Sequence, residues 1–568
     1  MTELNRQSPP KPLDPVPFNI PKAISRKLDN GLRVVVFEDE RLPLVSFRLA
    51  FMSGDMNDPQ DSIGLTSAMA SMLSEGTENY SSAALAEKIE RLGANISANS
   101  SEDFTLVSAS TLALYSSEIL ALMAEMIFKP TFPENELDLY KRNTIENLKF
   151  QRSQPGFLAN EQVSRMIYGE HPYARVSPAA DDIEKLTREQ LAGFHEKVLI
   201  PNNAVLIVVG DVELDSLMGE IEDHFGDWQN GVPDENELPG LSPLDAAKLT
   251  IVDRPGSAQS NIVLANLGIK RNHPDYFPVL VMNQVLGAGA SSRVFMNLRE
   301  EKGYTYGAYT RLDAKRMAGD FSATAEVRTS VTGESLKEFY YELNRIRDEA
   351  VSDEELDDAK NFLTGVFPIR AETQEGLTNL IVSQELYGLA DDYLQTYREH
   401  VSAVTPEDVR RVANEYIHPD RMAMVIVGDA GEILGQASGY AEEVNIFDTE
   451  GNPKAMESYM VDESAEAADF SGKWKLSLDF QGQKVPVSLD LVQDEKLIKG
   501  NLETILGNGQ ITDGSVRGQS FSATANTDIQ GQSVEFLING TLDDGTMSGT
   551  ISAPIIPDSL TFTGSRAA

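Results

Sequence analysis

The sequence has no cysteine. Disulfides, thiol nucleophiles and every metal site built on thiolates are thereby excluded. Histidine is scarce, and His171, His195, His224, His273, His400 and His418 are too scattered for any two to form a local ligand pair. Positive charge is also short. Lys and Arg number 48 against 88 Asp and Glu, a formal net charge of −40. Nucleic acid and anionic membranes both reward basic surface, so neither is expected as a partner. The acidity suits solubility first and attraction of basic peptides second. No apolar run approaches the ~18 residues of a membrane span. The opening "MTELNRQSPPKPLDPVPF" has no basic segment followed by an apolar one. A cytoplasmic chain is therefore expected, or a periplasmic one whose leader has been removed.

At 568 residues the chain exceeds the ~250–300 residues that one core supports. An internal repeat organises most of it. "LTREQLAGFHEKVLIPNNAVLIVVGDV", from Leu186, aligns without a gap with "VTPEDVRRVANEYIHPDRMAMVIVGDA", from Val404. Each copy opens on a threonine (Thr187, Thr405) with Gln190 or Asp408 three residues on, close to a capping box. A helix, a Pro-led turn and an apolar strand ending in Gly-Asp follow. "ENELDLYKRN", from Glu134, is echoed by "DEELDDAKNF", from Asp353.

The expected fold is α/β (α+β) with two homologous halves, 24–228 and 249–445, after an N-terminal tail 1–23 and joined by a Pro-, Gly- and acid-rich linker 229–248. An acidic connector, 446–467, leads to a β-rich accessory domain, 468–568. There "GKWKLSLDF", "KVPVSLDLVQ", "SFSATANT", "SVEFLINGTL", "MSGTISA" and "SLTFTG" alternate in polarity. Turn residues between them predict an antiparallel β-sandwich or small barrel.

The stretch "GLTSAMASMLSEGT", Gly64–Thr77, reads as a helix that begins at Gly-Leu and ends at Gly-Thr. Its polar frame carries Ser67, Ala70 and Ser71, none suited to metal or acid–base chemistry. With its surroundings, "SGDMNDPQDSIGLTSAMASMLSEGTENYSS", the duplicated halves and "PNNAVLIVVGDV", it resembles the pitrilysin/insulinase family of zinc peptidases, which includes the mitochondrial processing peptidase. The resemblance covers about residues 24–445 and implies the processing-peptidase type of half-chamber. Active members carry HxxEH on one helix: two histidines one turn apart bind zinc, and the glutamate polarises the zinc-bound water. The matching positions here are Ser67, Ala70 and Ser71. The family's third ligand, a glutamate on a later helix, falls on Asn147 in "NTIENLKF", and Glu146 is one residue off, about 100° round the helix.

The second half keeps another family signature, "SSRVFMNLREEKGYTYGAY". In active relatives an Arg and a Tyr seven residues later reach the zinc site of the other half or subunit and hold the substrate. Those positions match Arg299 and Tyr306, with Tyr304 as a neighbour of the same strand parity. The loop "GAGASS", from Gly287, lacks the ending of a phosphate-binding loop and the third glycine of a dinucleotide fingerprint, so no nucleotide site is read there.

The resemblance implies a non-catalytic subunit of a heteromeric zinc metallopeptidase, with no activity or bound cofactor of its own. It would close a chamber over a homologous HxxEH-bearing subunit that holds the zinc. An unfolded peptide would bind through Arg299 and Tyr306 and partly as an added β-strand. The alternatives are a structural scaffold and a stand-alone peptide-binding protein.

Overall fold

The computed structural model describes residues 20–233, 238–459, 468–480, 483–495, 497–504, 507–529, 532–552 and 560–567. The expected N-terminal tail through residue 19, positions 234–237 of the linker and 460–467 of the connector lie outside the described residues.

The first half contains strands β1 (Ile24–Lys27), β2 (Arg33–Glu38), β3 (Leu44–Phe51), β4 (Asn95–Ser100), β5 (Thr105–Leu112) and β6 (Ala204–Gly210). They form one sheet in the order β1-β2-β6-β3-β5-β4, which leaves β4 as an edge. Strand β6, "AVLIVVG", is buried at every position. It runs parallel to β2 and antiparallel to β3, with Val208 between Val36 and Phe47. A continuous apolar run is what a central strand covered on both faces needs. Eight helices accompany the sheet: α1 (Leu65–Met72), α2 (Ser82–Arg91), α3 (Ser116–Phe128), α4 (Glu134–Arg152), α5 (Pro155–Tyr168), α6 (Ala180–Lys185), α7 (Arg188–Val198) and α8 (Leu214–Phe225).

Along β3 the period of two sorts the side chains. Val45, Phe47, Leu49 and Phe51 enter a core with Met69, Met72 and Met123, and each is fully buried. At roughly 1.5–3 kcal/mol per buried large side chain, this face is a main source of the half's stability. Ser46 and Arg48 face the other way.

The second half runs β7 (Lys248–Asp253), β8 (Gln259–Gly268), α9 (Tyr276–Leu286), α10 (Arg293–Phe295), β9 (Thr305–Ala314), β10 (Gly319–Arg328), α11 (Thr332–Asp348), α12 (Asp353–Glu372), α13 (Gln374–Leu386), α14 (Tyr393–Ala403), α15 (Pro406–Tyr416), β11 (Ala423–Gly428), α16 (Ala430–Ala437), β12 (Glu443–Phe447) and β13 (Pro453–Lys454). As in the first half, two helices, a hairpin, five helices, a strand and a helix follow one another. The strand order is β13-β12-β7-β11-β8-β10-β9, with β9 as an edge. The end of β12 and all of β13 lie in the stretch read as connector. Both capping boxes are formed: Thr187 exchanges bonds with Gln190 at 2.8 and 3.2 Å, and Thr405 with Asp408 at 3.0 and 3.1 Å.

Helix α13 lies across the polar-side face of β3 and β6. Gln374 Nε2 donates to Val209 O at 2.7 Å. Buried Arg48 meets the Glu375 carboxylate with one nitrogen at 2.8 and 2.7 Å. The approach depends on Gly210, at φ +146°, where a Cβ would lie 2.1 Å from Leu44 O and 2.8 Å from Gln374 Nε2.

The C-terminal strands β14 (Gly472–Phe480), β15 (Gln483–Asp494), β16 (Leu497–Thr504), β17 (Gly507–Arg517), β18 (Ser520–Ile529), β19 (Gln532–Asp543), β20 (Thr546–Ser552) and β21 (Leu560–Arg566) close into an antiparallel barrel. Of the two expected architectures the barrel is the one formed. Buried Phe470 belongs to its core, and the Phe470 carbonyl accepts the Trp474 indole N–H at 2.8 Å. Arg566 covers the Trp474 ring at 5.2 Å. Inside, phenylalanines occupy the room that glycines leave: Cβ atoms on Gly540 and Gly549 would come within 2.4 Å of Phe521 and 2.8 Å of Phe562. Side chains therefore fill much of this interior, one of the two fillings an eight-stranded barrel permits. Among the described residues no helix is long and apolar enough to cross a membrane.

Candidate functional site

Helix α1 is only eight residues long and is set by its N-terminus. Gly64 precedes it at φ +90°. The buried Asp58 carboxylate accepts the Gly64 and Thr66 N–H groups at 2.6 and 2.8 Å and the Thr66 hydroxyl at 2.6 Å. These bonds satisfy donors that a helix start leaves free. The helix ends at Met72, short of the expected Gly-Thr boundary, and the chain passes through Gly76 at φ +146° into a bridge to Ser81.

Of the positions matched to the zinc motif, Ser67 is half-buried, Ala70 fully buried and Ser71 half-buried. The Ser67 hydroxyl lies 3.0 and 3.2 Å from the two Asp55 carboxyl oxygens and 2.8 Å from the Ser100 hydroxyl. Ser100, at the end of edge strand β4, also donates to Asp55. Burial pushes the Asp55 carboxyl up to about 6; the Ser100 and Ser67 hydroxyls oppose the rise, and the Asp58 and Glu102 charges add to it. Ser71 lies near the Tyr140 hydroxyl of α4, whose pKa is raised chiefly by burial. Asn147 and Glu146 are exposed on α4, and Glu146 pairs with Lys149 at 2.7 Å. The chemistry of this set does not fit zinc: it has no imidazole, its first hydroxyl is engaged by Asp55, and Ala70 accepts no proton. Among the described residues no group of three His, Cys, Asp or Glu is placed to hold a metal ion.

Asp55, Ser67 and Ser100 line a cavity of about 370 Å³ together with Glu102, Arg175 and Pro178, whereas Ala70, Ser71 and Asn147 are not part of its wall. The turn between β9 and β10 docks beside it. Lys315 pairs with Glu102 at 3.2 Å, and its ammonium lies 5.3 and 5.0 Å from the Tyr168 and Tyr173 ring centres. Tyr173 donates to Asp103, which also accepts the Arg316 N–H at 3.0 Å. Asp55 and Ser100 were absent from the sequence reading. The signal for them was the pair of acids, Asp55 and Asp58, in the turn before α1.

Arg299 lies on a π-helical turn, Met296–Glu301, that continues α10. Such wide turns recur at functional sites. Its guanidinium lies 4.8 Å from the Phe295 ring centre and 3.5 Å from Glu300, with 45% of the side chain exposed. Tyr306 is on edge strand β9 and 90% exposed, whereas Tyr304 precedes the strand and is half-buried.

Two family descriptions match the chain: "Insulinase (Peptidase family M16)" over residues 33–177 and "Peptidase M16 inactive domain" over residues 185–363. Together they span more than half of it. A Bacillus subtilis protein described as an uncharacterized zinc protease, YmxG, is 22% identical over 71% of this chain and 98% of its own length. A Helicobacter pylori protein described as a non-peptidase homolog is 23% identical over 70% of this chain and 91% of its own. Among solved structures, a peptidase M16 inactive domain from Pseudomonas fluorescens has a TM-score of 0.67 at 27% identity, covering 72% of this chain and 98% of that one.

Proposed function

The chain belongs to the insulinase (M16) peptidase family, and we propose that within it this protein is the non-catalytic subunit of a heteromeric zinc metallopeptidase. The observation that carries this reading is a division between the halves. The zinc-motif positions hold Ser67, Ala70 and Ser71, with Ser67 tied to Asp55, while Arg299 and Tyr306 stand exposed in the second half. Zinc resides in a homologous HxxEH-bearing partner, and this chain binds none. The peptide is unfolded and lies partly along the β4 edge, its main chain supplying sequence-tolerant bonds. Arg299 and Tyr306 hold its carbonyl, a fixed charge and a directional hydroxyl suited to a developing oxyanion. Duplication of one α/β unit accounts for the shared element order.

One observation favours a scaffold instead. Asp55, Ser67 and Ser100 form a closed set of hydrogen bonds, as a site rebuilt for stability would. Reconstitution separates the two readings. A mixture of this chain with an HxxEH homologue should cleave unfolded peptide faster than either chain alone. A rate equal to that of the HxxEH chain by itself rejects the subunit reading.

A further inference from the structure

Beside the turn that follows α15 is a cavity of about 280 Å³. Ile167, Pro243, Leu244 and Leu267 form its apolar wall, and His418 and Arg421 its cationic side. Arg421 Nη2 lies 3.3 and 3.4 Å from the two ring nitrogens of His418. Arg421 Nε is buried and has no hydrogen-bond partner. Among the described residues no carboxylate pairs with this guanidinium. Glu415, also on the wall, is engaged by Arg411 at 3.3 Å. Arg347 adds a second guanidinium charge acting on His418, and its Nε is likewise buried without a partner.

The first half supplies an internal control. In the gapless alignment His418 corresponds to Ile200 and Arg421 to Asn203. Ile200 is buried, and a Cβ on Gly231 would lie 2.7 Å from its Cγ2, so the equivalent place is filled by apolar packing. The fold does not require a histidine–arginine pair there. A buried donor without an acceptor is costly, and a guanidinium without an anion more so.

We propose that this cavity binds a carboxylate carried on a short aliphatic body. The planar carboxylate matches the two-pronged donor set of an arginine such as Arg421, which lines the cavity. Burial and then the Arg421 charge lower the His418 pKa, against the Asp420 charge and a bond to the Glu415 backbone, and the ring stands beside the Arg421 guanidinium and helps fix its position. The apolar wall receives the aliphatic body. A peptide C-terminus and a free branched-chain acid share this chemistry. A phosphate dianion would need more donors than one guanidinium supplies.

The test is calorimetric titration of the full chain with N-acetyl-leucine, N-acetyl-leucinamide, 4-methylpentanoate and inorganic phosphate. The expected result is saturable one-site binding of at least one of the two acids and none of the amide. Arg421→Gln should weaken it by about tenfold or more, the loss of a charge-assisted pair. Tighter binding of N-acetyl-leucine supports a peptide end, and tighter binding of 4-methylpentanoate a free acid. No saturable binding of either acid, equal binding of acid and amide, undiminished binding in Arg421→Gln, or stronger binding of phosphate would overturn the proposal. If Arg421→Gln gives no cooperative melt, Leu244→Trp fills the cavity from the linker side, and acid binding that survives it overturns the proposal equally.

Discussion

Ser67 places its hydroxyl within hydrogen-bond distance of both carboxyl oxygens of Asp55, at 3.0 and 3.2 Å. In the proposed register, Ser67 takes the place of the first zinc-binding histidine of active members. Here a carboxyl holds the helix face that a metal would otherwise organise.

The first prediction follows from that replacement. Elemental analysis of the purified chain should show far less than one zinc per molecule, and the chain alone should cleave no peptide. Restoring Ser67→His, Ala70→Glu, Ser71→His and Asn147→Glu together should raise zinc content more readily than activity. Asp55 and Ser100 are arranged for a hydroxyl rather than for orienting an imidazole. One zinc per wild-type chain with chelator-sensitive cleavage would refute the assignment.

Asp55 makes a prediction about pH. Its folded-state pKa of about 6 lies above its ordinary value, chiefly because the group is buried. The native state therefore keeps this proton to higher pH than the unfolded chain does. The group's contribution to stability is complete below about pH 4 and is lost as pH rises through about 6, a change on the order of 2–3 kcal/mol. Asp55→Asn carries no such titration, so between pH 4 and 7 its stability should rise relative to wild type by that amount. Calorimetric melts of the two proteins across this range are the check, and parallel curves would show that Asp55 does not titrate there.

Arg299 and Tyr306 are testable in the reconstituted heteromer. Arg299→Ala should leave folding and assembly intact while lowering peptide turnover by about 10²–10³-fold, the usual effect of losing one oxyanion-stabilising donor. Tyr306→Phe should act in the same direction, because it removes only the hydroxyl. In a scaffold both changes would stay within about 0.5 kcal/mol of wild-type stability, with turnover unchanged.

The barrel has its own buried cluster, including Trp474, Phe521, Phe536 and Phe562. A chain ending at Ser464 should therefore melt cooperatively, and residues 468–568 alone should give a β-type circular dichroism spectrum with a thermal transition of their own. Loss of both transitions would make the barrel and the α/β halves one cooperative unit.

The large features were legible because each rests on a local pattern. Thr187 with Gln190 and Thr405 with Asp408 announce helix starts, and "AVLIVVG" announces a buried strand. Strands β16 and β17 were not legible. Gly500 and Gly514 stand where inward-facing side chains would mark the alternation, and the register of β17 shifts after Ile511. The Asp55 cluster escaped for another reason. Its members come from a loop, a helix and an edge strand, and only the folded chain brings positions 55, 67 and 100 within one hydrogen-bonding distance. Asn147, the position that family register gives for the third ligand, is exposed on α4.

Strand β4 ends its sheet with one row of backbone donors and acceptors facing outward. An edge able to accept a passing peptide is equally able to accept the same edge of another molecule, the route by which sheet proteins aggregate. This edge is only six residues long, "NISANS", and five of those side chains are short and polar or a single methyl. Those features limit how much a second copy could gain by pairing there. The high negative charge of the whole chain adds repulsion between copies that a basic or neutral peptide would not meet. Raising the salt concentration screens that repulsion, so crowded, high-salt solutions are where self-association through β4 would emerge first.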